Sequence, residues 1–228
     1  MAIYMWRDEW QPWSDTLAYR PLDTTNWLND ISGNGKNLSI SGTSSNVNIW
    51  EHNWVDCVTT YTTAPVLVTS LNAFSVTDYT FAMFFYAPWN WNINNIRTYT
   101  EDLKAQQRLE VTSSGFTEYV SSGDSGYGTQ SWSWTTNIKN QRILYVLIKN
   151  GRSYRVFFKS TGINYDSWLQ YATADDTRSY QVYVGGTPAS NSGIANWCYS
   201  NAILESKLWT TDDINLYYNT YKSLYWIS

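Results

Sequence analysis

The sequence of 228 residues predicts an all-β sandwich that ends in one short helix. Two long, mostly apolar runs at 79–86 and 142–149 have the composition of strands central to a sandwich. The pair Asn150-Gly151 follows the second run and precedes a third at 153–158, which is a strong hairpin signal. Residues 180–184 alternate between apolar and polar, as a half-buried strand does. These patterns indicate stacked sheets rather than a helical protein.

The other elements follow in chain order. Residues 1–16 form a Trp-rich, charged N-terminal arm that Pro12 keeps from continuing as a helix. After a strand at 17–22, the segment 30–38 is a turn-rich connector, because Gly33 and Gly35 permit positive φ. We predict a surface loop at 121–128. Further strands are predicted at 47–50, 58–61, 66–71, 108–112, 116–120 and 197–204.

The C-terminal part carries the one helix signal. The hydroxyl of Thr210 is placed to cap the first turn, and Asp213, three residues later, imitates a capping box. Beyond this short helix, the aromatic stretches at 216–218 and 224–227 are expected to dock on the domain. With no internal repeat and no linker, the chain divides into the arm at 1–16 and one domain at 17–228.

Composition excludes several classes of partner. The formal net charge is -4 and only 15% of residues are charged, so clustered cations for nucleic acid are missing. No apolar stretch approaches the roughly 20 residues of a membrane span, and the N-terminus lacks the pattern of a signal peptide. The low charge suits the exterior of an extracellular or particle-bound protein. Cys57 and Cys198 either pair, if their strands are neighbours, or are two buried thiols.

Aromatic residues make up 18% of the chain, including 14 Trp. Many Trp lie between Asn or Ser, a setting in which the ring can stack on a sugar while amides bind hydroxyls. The alternative is that these rings pack loops onto the sandwich or fill subunit contacts, where aromatics are enriched. The candidate carbohydrate-binding residues are Trp89, Asn90, Trp91, Asn92, Trp132 and Trp134.

Catalytic and metal chemistry find little support in the sequence. The carboxylate pairs, such as Asp212-Asp213, are adjacent in sequence and would point to opposite faces of a strand. With His52 as the single His, a catalytic triad and a zinc site are both disfavoured, and no cofactor is expected. A structural calcium ion held by Asp30, Asn34 and Asp56 is the alternative to a turn stabilised by Asp30.

The order of these elements resembles the laminin-G-like, concanavalin A-like jelly-roll family over about 17–218. The strand at 17–22 followed by the 30–35 turn is similar to the family's opening, and 80–86 and 144–158 resemble its central strand and hairpin. The segments 183–186 and 209–214 are the most specific matches, although Trp209 replaces an aliphatic residue and Asp213 a Glu. The resemblance implies a jelly-roll β-sandwich with a binding or structural role rather than a catalytic one.

As a single domain with a charged arm, the chain is similar to the members of this family that are bacteriophage fibre, spike or capsid-decoration proteins. The expectation is therefore a non-enzymatic virion-type structural or adhesive module that self-associates or contacts other virion proteins. Trp6, Trp10 and Trp13 of the arm are its candidate subunit contacts. A carbohydrate-binding lectin is the alternative, and a glycoside hydrolase is the least favoured, since the paired acids of such enzymes are missing.

Overall fold

A computed structural model describes the fold. It describes the residues 17–19, 29–35, 37–41, 47–52, 55–60, 66–69, 78–86, 93–100, 106–112, 115–121, 130–134, 141–167, 170–171, 180–184 and 198–225. Side chains are described over 29–35, 37, 39, 78–86, 116–117, 141–167 and 202–223. The predicted arm at 1–16 lies outside these residues, and so does the predicted loop at 121–128 apart from Ser121, which ends a strand.

The described chain is almost entirely β-structure. The first strands are β1 (Leu17–Tyr19), β2 (Leu38–Ser41), β3 (Val47–His52), β4 (Val55–Thr60), β5 (Val66–Thr69), β6 (Tyr79–Tyr86), β7 (Ile93–Thr100) and β8 (Gln106–Thr112). The remaining strands are β9 (Gly115–Ser121), β10 (Gln130–Trp134), β11 (Arg142–Asn150), β12 (Ser153–Lys159), β13 (Asn164–Asp166), β14 (Gln170–Tyr171), β15 (Tyr180–Val184) and β16 (Cys198–Glu205). Helix α1 (Thr211–Tyr221) and a 3₁₀ turn (Lys222–Tyr225) follow.

The strands form two antiparallel sheets. Sheet A has the order β13-β12-β11-β6-β16-β4-β3, with β1 beside β16 and β14 beside β12. Sheet B has the order β10-β9-β8-β7-β15-β5-β2. The central strands β6 and β11 of sheet A are the two apolar runs in the sequence, and most of their residues are buried.

The two sheets stack on each other through aromatic side chains. Phe116 of sheet B contacts Phe158 of sheet A with ring centroids 4.2 Å apart, and Tyr145 lies 5.4 Å beyond Phe158. All three are at most 1% exposed. Because strand residues alternate between faces, Phe81 and Met83 of β6 share this inter-sheet face with Tyr145. A well-packed layer of rings therefore joins the sheets into a sandwich.

Helix α1 covers the other face of sheet A. Ile214, Tyr217, Tyr218 and Tyr221 are buried and pack on the alternate residues of the central strands. Those sheet residues are Ala82, Phe84, Leu144, Val146, Phe157 and Ile203. The helix begins with the predicted capping box, since the Thr210 hydroxyl accepts from the Asp213 amide and the Asp213 carboxylate accepts from the Thr210 amide.

The turn before the helix is tied to the centre of sheet A. The Thr80 hydroxyl, which is fully buried in β6, donates to the Lys207 carbonyl at 2.7 Å and accepts from the Trp209 amide at 2.9 Å. The Trp209 indole N–H donates to the buried Glu205 carboxylate. Trp209 is 4% exposed and its ring lies 5.0 Å from that of Tyr217. One threonine thus fixes the point from which α1 starts.

Several boundaries differ from those that the sequence predicts. Asn150 pairs with Ser153, so the two-residue loop is Gly151-Arg152, one position later than the Asn-Gly pair suggests. Gly151 has φ 55°, which explains why glycine stands first in that loop. The predicted tail at 216–218 is part of α1 rather than a segment beyond it, and its two tyrosines dock as expected. Trp132 and Trp134 lie in strand β10, not in a loop.

Candidate ligand-binding surfaces

The turn at 30–35, which contains the candidate calcium ligands Asp30 and Asn34, is held by its own side chains. The Asp30 carboxylate accepts from the Ser32 amide at 2.9 Å and from the Ser32 hydroxyl at 2.6 Å. Asp30 is 9% exposed, and its amide donates to the Asn37 side chain at 2.9 Å. Gly33 and Gly35 have φ of 91° and 69°, as predicted. The turn-stabilising role of Asp30 is thus visible in the structure.

The other two residues of the calcium hypothesis are placed differently. Asn34 is exposed, and its amide donates to the Ser32 hydroxyl at 3.3 Å. Asp56 lies in β4 opposite Glu51, and its side chain is outside the described set. Among the residues that the structure describes, no three of His, Cys, Asp and Glu gather into a metal-binding group. Calcium binding here stays a prediction.

The described acids at well-defined positions make structural bonds. Asp166 accepts from Arg155, with Nε 2.9 Å from Oδ1, and this hydrogen bond raises the pKa of Arg155. Asp78 accepts from the Gly151 amide at 2.6 Å and lies 3.8 Å from the buried Lys149 ammonium. Glu205 holds the Trp209 indole. These contacts place the three carboxylates in turns and strand pairs rather than at one shared cleft.

Burial shifts the pKa of two groups of sheet A, Tyr165 on the inter-sheet face and Lys159 beside the helix. Burial raises the pKa of Tyr165 to about 12, with help from the nearby charge of Asp166. Burial lowers the pKa of Lys159, and the charge of Lys222 acts in the same direction. Both ammonium groups lie over the Tyr218 ring, at 5.2 Å and 5.7 Å from its centroid. The helix edge is therefore a cation–aromatic cluster.

The strand ends that flank two connections between the sheets fall in two register rows. In sheet A, Arg142 and Cys198 both pair with Tyr86. In sheet B, one cross-strand row is Ile93, Val111, Phe116 and Trp134. Residues 87–92 join Tyr86 to Ile93, and 135–141 join Trp134 to Arg142. We call these two rows and the segments between them the Trp134 end.

Most of the candidate sugar-stacking residues belong to the Trp134 end. Trp89, Asn90, Trp91 and Asn92 lie in the 87–92 connection, outside the described residues. Ile93 and Trp134 are three strand positions apart, roughly 14 Å at ordinary strand spacing. The topology thus brings together two parts of the sequence that are about 40 residues apart.

Trp132 and Trp134 have a defined register within this end. They pair with Glu118 and Phe116 of β9, and residues directly opposite each other share one face of the sheet. Phe116 is the residue that contacts sheet A. Both positions therefore share the face of sheet B to which Phe116 belongs. The sequence did not predict this strand, because Ser alternates with Trp in a pattern equally typical of a loop.

A row of register partners crosses the whole of sheet B on the opposite face. Its members, from one edge to the other, are Ser131, Tyr119, Arg108, Arg97, Tyr183, Val68 and Ser39. Tyr119 is three residues from the core-facing Phe116, so the row lies on the face away from sheet A. Ser39 at its far edge is exposed. None of these residues was predicted as a binding residue, since the row exists only in the assembled sheet.

The fold is shared with solved structures of known binding domains. Domain 4 of AbnA, an extracellular GH43 arabinanase from Geobacillus stearothermophilus solved with arabinotriose, is similar with TM-score 0.65 and 10% identity over 88% of this chain and 96% of that chain. The botulinum neurotoxin serotype D binding domain is similar with TM-score 0.63 and 11% identity, over 90% of this chain and 52% of that one. The neurotoxin structure is a binding domain and the AbnA domain is a complex with a saccharide, and the predicted all-β sandwich class is confirmed.

A third similar structure concerns botulinum neurotoxin type C, whose cell entry is described as dependent upon interaction with two ganglioside molecules. It has TM-score 0.61 and 12% identity, and covers 90% of this chain and 50% of that chain. The present chain thus spans about half the length of the neurotoxin structures it matches. No protein-family model and no curated protein sequence matches this chain.

No helix in the described part of the chain has both the length and the apolar composition needed to cross a lipid bilayer.

Proposed function

We propose that this chain is a non-catalytic carbohydrate-binding module. The observation that supports the proposal is the register of the strand ends that flank the Trp- and Asn-rich 87–92 segment: Tyr86 pairs with Arg142, and Ile93 shares a cross-strand row with Trp134. The likeness to the arabinanase domain solved with arabinotriose supports it, because that domain is matched over 96% of its length. The neurotoxin domains support it less, since half of each lies outside the match.

The proposed site uses ring stacking with amides alongside. Trp89 and Trp91 supply flat apolar surfaces, and Asn90 and Asn92 supply both donors and acceptors for hydroxyl groups. Trp134 lies at the other side of the same end, roughly 14 Å away at ordinary strand spacing. Such a span fits an oligosaccharide rather than a single sugar. Trp132 belongs to the same strand but lies two residues further from the end.

The absence of a catalytic role is part of the proposal. A retaining or inverting glycosidase needs two carboxyl groups about 5–10 Å apart across the scissile bond. Three of the described acids, Asp78, Asp166 and Glu205, are bound instead to Gly151, Arg155 and Trp209. The similar structures are likewise binding domains rather than catalytic ones.

The test is binding to immobilised and soluble glycans. The intact chain is screened on a glycan array and then titrated by calorimetry with the best ligand, with arabinan-derived oligosaccharides included. Trp89→Ala and Trp91→Ala are each expected to weaken binding by roughly 5- to 150-fold, as loss of a stacked ring costs on the order of 1–3 kcal/mol. Trp50→Ala, in β3 at the far edge of sheet A, is the matched control and should bind normally. Failure of the intact chain to bind any glycan at millimolar concentration contradicts the proposal.

The setting on a virion or another extracellular surface is a separate part of the proposal. Its support is the low charge of the chain and the Trp-rich arm at 1–16. Strand β1 begins at Leu17, so removal of the arm leaves every described strand intact. Light scattering after size-exclusion chromatography should show an assembly for the whole chain and a folded monomer after deletion of 1–16. Equal masses for the two proteins would rule out the arm as the subunit contact.

A further inference from the structure

We propose that the outer face of sheet B binds a carboxylate-bearing saccharide through Arg97 and Arg108, with Tyr119 and Tyr183 on either side. This inference rests on the proposed carbohydrate-binding function and names the chemical class of its ligand. It concerns a different surface from the Trp134 end, and it depends on a juxtaposition that only the sheet register creates.

The register gives the four residues consecutive places in one row. Tyr119 pairs with Arg108 between β9 and β8, and Arg108 pairs with Arg97 between β8 and β7. Arg97 pairs in turn with Tyr183 of β15. At about 4.8 Å between strands, the four positions span roughly 14 Å. The β7–β8 register shifts between Asn94 and Ile96, and this irregularity immediately precedes Arg97.

Two described side chains identify the face that the row occupies. Phe116, three residues before Tyr119, is 1% exposed and contacts sheet A. Ser39, which ends the row at strand β2, is exposed. Thr117 shares the outer face by alternation and is 8% exposed, so this face is covered towards the Trp134 end and open towards β2. The row therefore crosses the side of the sandwich that faces away from sheet A.

Direct opposition of two arginines is unfavourable for the free protein. Like charges at directly opposite positions of an antiparallel pair are destabilising. The chain has 15 Lys and Arg against 19 Asp and Glu, so cations are scarce and two of them meet here. Glu110 lies two residues from Arg108 on the same face and is the nearest acid in the register. Among the paired positions of β7, β8, β9 and β15 on this face, Glu110 is the single acid against the two arginines, so an acidic ligand complements the charge of the row.

The residue types fit a sugar acid. A guanidinium group is a planar fork whose two N–H groups match the two oxygens of a carboxylate. Tyrosine offers an apolar ring with a hydroxyl at its edge, which suits a ring that is flat on one side and polar at its rim. A row with aromatic ends and a cationic centre thus matches an acidic sugar within a longer chain. A simple inorganic anion would need the arginines alone.

The experiment compares acidic and neutral ligands on the same protein. Oligogalacturonate, its methyl ester, sulfated dextran and inorganic phosphate are titrated by calorimetry at low and high salt, beside the best neutral glycan. Arg97→Gln and Arg108→Gln are each expected to weaken oligogalacturonate binding at least about tenfold, and neutral glycan binding should be unchanged. Arg97→Lys keeps the charge but loses the fork, so it should restore only part of the affinity. Arg152→Gln, in the exposed loop of sheet A, is the control for the loss of one positive charge.

The outcomes separate this inference from the proposed function. Binding of the acidic saccharide that falls with salt and with either Gln variant supports the inference. Neutral glycan binding without any gain for oligogalacturonate over its methyl ester overturns it and leaves the proposed function standing. Equal binding of phosphate, sulfated dextran and oligogalacturonate also overturns it, because it shows a general anion site. No binding to any saccharide defeats both. Melting temperature is the folding control, and it should stay the same or rise in the Gln variants because a like-charge pair is removed.

Discussion

Replacement of Thr80 provides a strict test of how helix α1 is anchored. Thr80→Val preserves the shape of the side chain but removes the hydroxyl that bonds the Lys207 carbonyl and the Trp209 amide, at 2.7 Å and 2.9 Å. Thr80→Ser keeps both bonds and removes only a methyl group. Hydrophobic burial alone would favour the valine variant, since the site is fully buried. Hydrogen bonding favours the serine variant.

The magnitudes decide between these two effects. An unpaired buried polar group costs about 1–3 kcal/mol, so loss of both bonds at Thr80 should lower the free energy of unfolding by about 3 kcal/mol after the gain in apolar burial. Loss of one buried methyl group should cost about 1 kcal/mol. In a protein of this size the valine change corresponds to a fall of roughly 6–12 °C in melting temperature. Urea unfolding followed by Trp fluorescence measures both variants. A valine variant as stable as the serine variant would refute the reasoning.

Two further predictions concern groups that the structure places in defined surroundings. Burial by itself would raise the pKa of Asp213, but hydrogen bonds from Lys207 and Thr210 and the charge of Lys207 outweigh it and lower the pKa. A carboxylate whose pKa is lowered in the folded state stabilises the protein above the ordinary aspartate range, and this stabilisation is lost as the pH falls through the folded-state pKa. Asp213→Asn should therefore flatten the loss of urea stability between about pH 5 and pH 2. An unchanged slope would contradict this. Cys57 and Cys198 lie on neighbouring strands, but the pairing of Tyr199 with Val58 makes them diagonal neighbours, about 7–8 Å apart. Thiol titration in denaturant without reductant should therefore find two thiols per chain, and a value of zero would show that they pair.

Much of the fold could be predicted because its central strands carry their own signals. β6 and β15 begin and end where the apolar patterns do, and the capping box at Thr210 matches in both of its hydrogen bonds. β7 and β10 escaped prediction for a physical reason. The sequence Ile-Asn-Asn-Ile of β7 contains a register shift that breaks the alternation, and Ser-Trp-Ser-Trp of β10 reads equally well as a loop. Edge strands and bulged strands are specified by their neighbours more than by their own residues.

The candidate site was predictable only in its residue types. The excess of Trp beside Asn indicated a binding surface, but the sequence could not tell that the 87–92 segment and Trp134 belong to one end of the sandwich. Arg97 and Arg108 are 11 residues apart in sequence and carry no motif. Their opposition follows from the length of the β7–β8 connection and from the shift after Asn94. Chemistry that arises from cross-strand register is invisible until the register is known.

The two proposed surfaces should respond differently to salt, and this difference shows whether one ligand uses both. Ring stacking at the Trp134 end involves no net charge, whereas arginine–carboxylate binding is screened by ions. Along β7, Ile93 and Arg97 are four residues apart, roughly 13 Å at the rise of a strand. A saccharide of several acidic units is long enough to reach from one surface to the other. If one such saccharide contacts both surfaces, salt should lower its affinity for the intact chain only to the affinity of the Arg97→Gln variant. Trp91→Ala should then lower the affinity by the same factor at every salt concentration. If the tryptophan effect disappears at low salt, the two surfaces bind separate ligands.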